Sequence, residues 1–381
     1  MTDMLSENYA STVGEWKPSL KIKLALIFGS VILAFLALEV AIRTYDSLQQ
    51  GRGFFDNVRN PLIHVRGQSL PFREFGFDMY QEVDGVKYIV SRHDELYPLE
   101  KPPGTFRIVA FGGSTTENNK AMAAAGIHYP KVLEEKLKAR LNRDDIEVIN
   151  IGFAAYSTPH ALILSALDVS SWEPDLLILS HNINDRSVQY WPDFQFDYSS
   201  KYSDPFYTRS GQTDLFTPWN VMFQWSQLYW YVTNTMSDFV NRDALTVRRR
   251  EYGNAPDPVA LEIYRRNLSS FTALAESYGA RVLFASQAYS TDVQFEFNER
   301  PKSYNRVVTW PLEEESAEHQ RIFNDAMEEV ALSSESWFID NYANLDGRPD
   351  YFFDQVHYTP EGIEELARGY ADFIVKNKII E

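Results

Sequence analysis

The residues of this chain that could carry out nucleophilic chemistry are Ser114 and an Asp–His pair near the C-terminus. Ser114 follows two glycines in Gly112-Gly113-Ser114, and Asp354 lies three residues before His357. A serine hydroxyl becomes a nucleophile when a histidine removes its proton and a carboxylate fixes the tautomer of that histidine. The chain has no cysteine, so a covalent intermediate would form on a hydroxyl. Ser114, His357 and Asp354 supply the complete set if the fold brings the two regions together.

A second group of polar residues follows a hydrophobic run that ends at residue 180. It reads Asn182-Ile183-Asn184-Asp185, and the side-chain N–H of Asn184 could donate to a developing oxyanion. We expect Asp185 to brace the loop rather than to take part in the reaction. We expect structural or supporting roles, with substrate contact as the alternative, for two nearby histidines, His160 and His181.

Short hydrophobic runs alternate with helical patterns from residue 105 onward. The predicted strands are Phe106–Phe111, Ile146–Ile151, Leu176–Ser180, Arg281–Ser286 and Trp337–Asp340. The predicted helices are Tyr129–Leu141, Val259–Tyr278, Glu313–Leu332 and Pro360–Val375, the last with Thr359 as its N-cap. This alternation predicts an α/β domain with a parallel sheet covered by helices on both faces. The candidate residues follow predicted strands, and in such sheets the active site lies at the carboxyl ends of the strands.

The order of these blocks resembles the SGNH (GDSL-type) hydrolase family, in particular its membrane-anchored members, from about Thr105 to Val375. Gly112-Gly113-Ser114 is similar to the first block of the family, with Gly113 in place of the usual aspartate. Asn182-Ile183-Asn184-Asp185 is similar to the third block, Gly-x-Asn-Asp, with Asn182 replacing the glycine. Asp354-Gln355-Val356-His357 matches the fifth block, Asp-x-x-His. The resemblance implies a flavodoxin-like three-layer α/β/α sandwich with a central parallel sheet. It also implies ester hydrolysis through an acyl-serine, without a metal or other cofactor.

The second block of the family contributes a backbone N–H to the oxyanion hole. The other donors are the backbone N–H of the serine and the side-chain amide of the asparagine in the third block. Counting from Asn150, the family glycine falls on Ala155, and Gly152 is the fallback assignment. A backbone N–H survives the change from glycine to alanine if the local backbone conformation suits alanine. The expected oxyanion hole is therefore formed by Ser114, Ala155 and Asn184.

A hydrophobic segment near the N-terminus predicts a membrane anchor. Leu24–Ile42 is 19 residues long and contains one charged residue, Glu39, and about 20 residues are needed to span a bilayer as a helix. Lysines precede the segment at Lys17, Lys21 and Lys23, which predicts a cytoplasmic N-terminus. The catalytic domain would then be periplasmic or extracellular. The alternatives are a cleaved signal peptide and a buried helix.

These patterns predict four regions. Residues 1–20 are a cytoplasmic tail, 21–43 a transmembrane helix, 44–104 a linker and membrane-proximal hairpin, and 105–378 the hydrolase-like domain with an aromatic-rich insertion at 186–257. The linker is expected from about Asp46 to Asn60, and the hairpin lies in Phe72–Ser91 with Asp84-Gly85 as its turn. We expect this hairpin to cover one edge of the main sheet.

The insertion is rich in aromatic residues. Between Tyr190 and Phe239, 16 of 50 residues are Phe, Tyr or Trp, against 14% for the whole chain. Its uncharged stretch Leu215–Ser237 contains too many amide and hydroxyl side chains for a second transmembrane helix. Three roles remain open: stacking on sugar rings, contact with the membrane interface, or formation of the core of a small subdomain.

Composition limits the possible functions. The chain has 381 residues, 36 Lys+Arg and 53 Asp+Glu, giving a net charge of −17. Its 44% of hydrophobic residues excludes a disordered chain, and the acidic balance argues against a nucleic-acid partner. The function expected is that of a membrane-anchored serine esterase acting on O-acyl groups of an envelope or secreted polysaccharide. The alternatives are an O-acyltransferase with the same triad, a lipase or thioesterase, and an inactive glycan-binding relative.

Overall fold

The structure is a computed structural model that describes residues 19–50, 54, 79–191, 194–198, 201, 225–229, 231–232, 251–291 and 310–380. The chain divides into two compact units, residues 1–63 with 212–241 and residues 64–211 with 242–381. Residues 212–241, which the sequence assigns to an insertion in the hydrolase-like domain, therefore group with the N-terminal segment. Most of the insertion, the first 18 residues and residues 72–78 of the predicted hairpin region lie outside the described residues.

The described residues of the larger unit form two sheets. The small antiparallel sheet has the order β1-β2-β3, with β1 Tyr80–Val83, β2 Val86–Val90 and β3 Leu96–Pro98. The main sheet is parallel and consists of β4 Phe106–Gly112, β5 Ile146–Asn150, β6 Leu176–Ser180, β7 Arg281–Ala285 and β8 Trp337–Ile339. Its spatial order is β5-β4-β6-β7-β8, which is the flavodoxin-like order. The predicted α/β architecture is confirmed.

Helices connect the strands. In chain order they are α1 Leu20–Gln50, α2 Ser114–Glu117, α3 Asn119–Ala125, α4 Tyr129–Leu141, α5 Thr158–Leu167, α6 Ile183–Arg186, α7 Pro258–Ser277, α8 Glu313–Ser333, α9 Asn341–Leu345 and α10 Pro360–Lys376. The four helices predicted from the sequence correspond to α4, α7, α8 and α10, with ends that agree to within one residue. Thr359 caps α10, since its hydroxyl accepts from the N–H of Gly362.

The main sheet has a hydrophobic core on each face, because successive strand residues point to opposite sides. Val109 and Phe111 of β4 pack into a cluster with residues of α5, α7 and α8. Ile108 and Ala110 of the same strand pack into a second cluster with residues of α4 and α10. The domain is therefore a three-layer α/β/α sandwich, as predicted.

The small sheet covers the outer edge of β5. The backbone N–H of Arg92 donates to Asn150 O at 2.8 Å, and the Tyr97 hydroxyl donates to Val148 O at 3.2 Å. Glu134 of α4 accepts from the N–H of Val148 at 3.0 Å and from the Tyr97 hydroxyl at 3.0 Å. These contacts satisfy backbone groups that an open edge strand would expose. The predicted hairpin at Asp84-Gly85 is found, and the contacts with β5 described here come from Arg92 and Tyr97, which follow it in the chain.

In the smaller unit, α1 includes a stretch, Leu20–Tyr45, that is long and apolar enough to cross a membrane. A signal sequence near an N-terminus would have the same length and composition. The helix continues to Gln50, so the predicted linker begins at least five residues later than expected; the first residue that disfavours a helix is Gly51.

Glu39 of α1 is buried and binds a short stretch of the insertion. Its carboxylate accepts from the Ser226 hydroxyl at 2.8 Å and from the backbone N–H groups of Gln227 and Leu228 at 2.9 Å each. Arg43, one turn further along, forms an ion pair with it at 2.8 Å. The one charged residue of the apolar segment is thus neutralised by hydrogen bonds and an opposite charge.

Candidate active site

The proposed nucleophile lies at the carboxyl end of the second strand in the sheet order. Ser114 is the first residue of α2 and follows β4 after a single residue, Gly113. This strand-to-helix turn places the serine at the sheet edge where a parallel sheet binds its ligands. The first N–H groups of a helix have no intrahelical acceptor, and the N–H of Ser114 is the first of α2.

The acid–base pair lies in the loop before α10. The Asp354 carboxylate accepts from the backbone N–H groups of Val356 at 3.0 Å and His357 at 2.9 Å, as an aspartate does when it forms a tight turn with its own backbone. A bridge between Phe352 and Tyr358 closes the base of this loop. The turn therefore holds Asp354 and His357 in a fixed relation before any contact with the serine.

The structure brings the three predicted residues together, although 243 positions separate Ser114 from His357. His357 Nε2 lies 2.8 Å from Ser114 Oγ, and His357 Nδ1 lies 2.8 Å from Asp354 Oδ2. Lys120 of α3 adds an ion pair to the same carboxylate, with Nζ 2.5 Å from Oδ2. Burial opposes the ionisation of Asp354, but His357 and Lys120 outweigh it and hold the pKa of Asp354 far below its usual range.

Asn184 of α6 faces the turn that carries Ser114. Its side-chain Nδ2 donates to Tyr156 O at 2.8 Å, which leaves the second N–H of the amide for another acceptor. A Cβ atom at Gly113 would lie 2.7 Å from this nitrogen and 3.3 Å from Tyr156 O. Only glycine allows the amide to approach the turn so closely.

The two candidates for the second backbone donor behave differently. Gly152 donates its N–H to Asn150 Oδ1 at 2.9 Å, and a Cβ there would lie 2.7 Å from Thr116 and Glu117 atoms. It is therefore a close-packed turn residue, and its assignment as the fallback donor stays a prediction. Ala155 has a φ of +68°, a left-handed conformation that costs an alanine roughly 1–2 kcal/mol. This conformation does not suit alanine, so the assignment of Ala155 as a backbone donor stays a prediction.

Asp185, His160 and His181 are all buried beside this site. Asp185 accepts from the N–H of Thr158 at 3.0 Å and from its hydroxyl, so it braces the N-terminus of α5. Burial raises the pKa of Asp185 to about 6 and lowers that of His181 to about 3. Burial, together with the charges of His181 and Lys201, holds the pKa of His160 well below its usual value.

Sequence reasoning did not identify Lys120 or Lys201. Lys120 lies on the proposed triad carboxylate, and Lys201 is buried against Asn184. Both are single lysines in polar stretches, and no motif marks them. Within the described part of the chain, no cluster of three or more His, Cys, Asp or Glu side chains could hold a metal ion.

The arrangement is suited to acyl transfer through the serine hydroxyl. A hydroxyl lies within hydrogen-bonding distance of an imidazole whose other nitrogen faces a carboxylate, and the Asn184 amide lies against the glycine that precedes the serine. This relation of nucleophile, base and orienting acid is the one that activates a serine.

Comparisons with known proteins find similarity in structure alone. No protein-family model and no curated protein matches the chain. An alpha/beta hydrolase from the metagenome of Lake Arreo shares 14% identity over 73% of this chain and 97% of its own, with a TM-score of 0.40. A catalytic mutant of an acetylxylan esterase from Geobacillus stearothermophilus shares 15% over 71% and 94%, with a TM-score of 0.41. A GDSL-like lipase from Bacteroides thetaiotaomicron shares 16% over 71% and 88%, with a TM-score of 0.39. Because these similarities are distant, the assignment of an activity depends on the geometry of the site.

Proposed function

We propose that this chain is an ester hydrolase of the SGNH type that forms an acyl-enzyme on Ser114. The observation that carries the proposal is the continuous contact from Ser114 Oγ through His357 to Asp354, with separations of 2.8 Å on each side of the imidazole. The resemblance of the three sequence blocks to that family supports the same activity.

In the proposed reaction, His357 Nε2 takes the proton of Ser114 as the serine oxygen bonds to the ester carbonyl carbon. The carbonyl oxygen becomes negatively charged and accepts hydrogen bonds from the N–H groups of Ser114 and Ala155 and from the Asn184 amide. The histidine then gives its proton to the departing alcohol oxygen, which leaves an acyl-serine. Water attacks this ester with His357 again as base, and a carboxylic acid and free Ser114 are released.

We further propose that the enzyme is anchored in a membrane by α1 and removes O-acyl groups from an envelope or secreted polysaccharide. The apolar length of Leu20–Tyr45 supports the anchor. Aromatic residues of the insertion, Trp225 and Tyr231, are half-exposed in the same unit as α1, and such rings suit a membrane interface or a sugar ring. The tether would keep the site outside the cytoplasm, close to envelope glycans.

The test is the hydrolysis of short acyl esters and of an O-acetylated polysaccharide by the full chain in detergent. Ser114→Ala should lower kcat/KM by at least about 10³-fold, whereas Ser269→Ala, an exposed helical serine, should leave it unchanged. Retention of full activity in Ser114→Ala would refute the assignment. If a glycan acceptor received the acyl group faster than water, the enzyme would be an acyltransferase with the same triad.

A further inference from the structure

Lys201 is a buried lysine whose ammonium group lies against the proposed oxyanion donor. The residue is 3% exposed. Its Nζ donates to the backbone oxygen of Asn184 at 3.0 Å, to Asn184 Oδ1 at 3.4 Å and to Ser187 Oγ at 2.9 Å. A cation in such surroundings costs several kcal/mol unless nearby groups compensate it.

Both ends of the Asn184 side-chain amide have a hydrogen-bonding partner. The oxygen end faces the ammonium group, and the nitrogen end donates to Tyr156 O at 2.8 Å. If the amide rotated by half a turn, its N–H₂ group would face Nζ, where donor would meet donor. Lys201 therefore favours the orientation in which Nδ2 donates to Tyr156 O and lies beside Gly113, the residue before Ser114.

The surroundings of Lys201 keep it at this position. The Ser187 hydroxyl, which accepts from Nζ, itself donates to Asn184 O at 2.9 Å, so lysine, serine and asparagine form a closed group. The carboxylate of Asp185, also buried, interacts favourably with the ammonium charge. The hydrogen bonds of Lys201 described above go to Asn184 and Ser187, and neither residue belongs to the proposed triad.

We propose that Lys201 is a positioning residue that orients the Asn184 amide toward the oxyanion of the acyl-transfer transition state. This inference rests on the proposed function of Asn184. It predicts a defect confined to the transition state, because the amide would still be present but would point its N–H groups less often toward the substrate oxygen. A residue needed only for folding would lower stability or substrate affinity instead.

The experiment is a double-mutant cycle between Lys201→Met and Asn184→Ala in the full chain, with kcat and KM measured on a short acyl ester. Asn184→Ala should lower kcat by about 10²–10³-fold. Lys201→Met should lower kcat by about 10-fold or more with KM within about twofold, since only a transition-state contact is lost. In the Asn184→Ala background the same substitution should have no further effect on kcat.

Lys131→Met is the matched control. Lys131 forms an ion pair with Glu134 at 2.9 Å on α4, away from the site, and its loss should leave kcat unchanged. Circular dichroism checks that each variant is folded. If Lys201→Met does not fold, Lys201→Leu, which also lacks a donor, replaces it in the same cycle.

The possible outcomes distinguish a failure of the role of Lys201 from a failure of the proposed esterase function. The positioning role would be overturned if kcat of the double variant fell by the product of the two single losses, or if Lys201→Met left kcat unchanged. Ser114→Ala would still be inactive in either case. Full activity in Ser114→Ala would instead overturn the proposed function itself.

Discussion

At Gly113 the absence of a side chain decides how closely Asn184 can approach the proposed nucleophile. A Cβ there would lie 2.7 Å from Asn184 Nδ2, so Gly113→Ala should displace the amide and lower kcat by about 10²-fold, comparable to the loss of one oxyanion donor. Gly369→Ala is the control, because a Cβ at this position of α10 meets nothing within 4 Å. It should leave kcat unchanged and raise the free energy of unfolding by about 0.5–1 kcal/mol. Equal kcat values for the two variants would contradict the close approach at Gly113.

Acidification should destabilise the protein partly through His181. Burial lowers the pKa of His181 to about 3 from an ordinary value of 6.5, so between these pH values the unfolded chain binds the proton and the folded chain does not. The free energy of unfolding should therefore fall by up to about 1.4 kcal/mol per pH unit from this histidine as the pH drops below 6.5. Asp185, with its pKa raised to about 6, opposes the trend below that pH.

The comparison that isolates His181 is urea unfolding of the wild type and His181→Gln between pH 7.5 and 4.5. The free energy of unfolding of the wild type, minus that of His181→Gln, should decrease steadily as the pH falls below 6.5. Parallel curves over this range would show that the folded protein takes up the proton as readily as the unfolded chain.

At the residue level the sequence alone predicts the proposed triad and Asn184 but not the lysines around them. Ser114, Asp354 and His357 occur in recognisable blocks, and the structure brings them within hydrogen-bonding distance. Lys120 and Lys201 become neighbours of the site only because the chain folds back over long separations. A lone lysine has no spacing that predicts such a contact.

Among the elements, α4 and the small sheet together protect the edge of β5. Glu134 is buried and accepts from the Val148 N–H and the Tyr97 hydroxyl. Glu134→Ala would leave the Val148 N–H without an acceptor and would remove one of the two acceptors of the Tyr97 hydroxyl. The free energy of unfolding should therefore fall by about 1–3 kcal/mol. Glu135→Ala, at the exposed neighbouring position, should change it by less than about 0.5 kcal/mol. Chemical denaturation of both variants measures the difference, and equal values would show that the β5 edge does not depend on this carboxylate.

Periodicity predicted most of the elements because each main strand is a short aliphatic run and each long helix has one apolar face. It missed α5, whose sequence between Ala161 and Leu167 contains no charged residue to mark a polar face. It also missed β3, a strand of three residues that includes Pro98, since so short a run has no readable alternation. These elements form because tertiary packing outweighs weak local signals.

For the whole molecule, the proposed apolar anchor and the acidic outer domain should lie in different compartments. An acidic domain gains no attraction from anionic lipids, so α1 would have to hold it at the membrane. In spheroplasts, whose outer surface is the cytoplasmic membrane, added protease should degrade a C-terminal tag and spare an N-terminal one. A carbonate wash should leave the protein in the membrane fraction. Release of a shortened, soluble chain would instead indicate a cleaved signal sequence, and protection of the C-terminal tag would contradict the predicted topology.

The central claim is that Ser114 is the nucleophile of an acyl-enzyme. Its most direct test is reaction of the folded full chain with a fluorophosphonate, followed by peptide mapping, because this reagent bonds to an activated serine oxygen. We predict a single adduct on Ser114 in the wild type and no adduct in Ser114→Ala. A folded wild type that forms no adduct, or an adduct on another residue that persists in Ser114→Ala, would contradict the account.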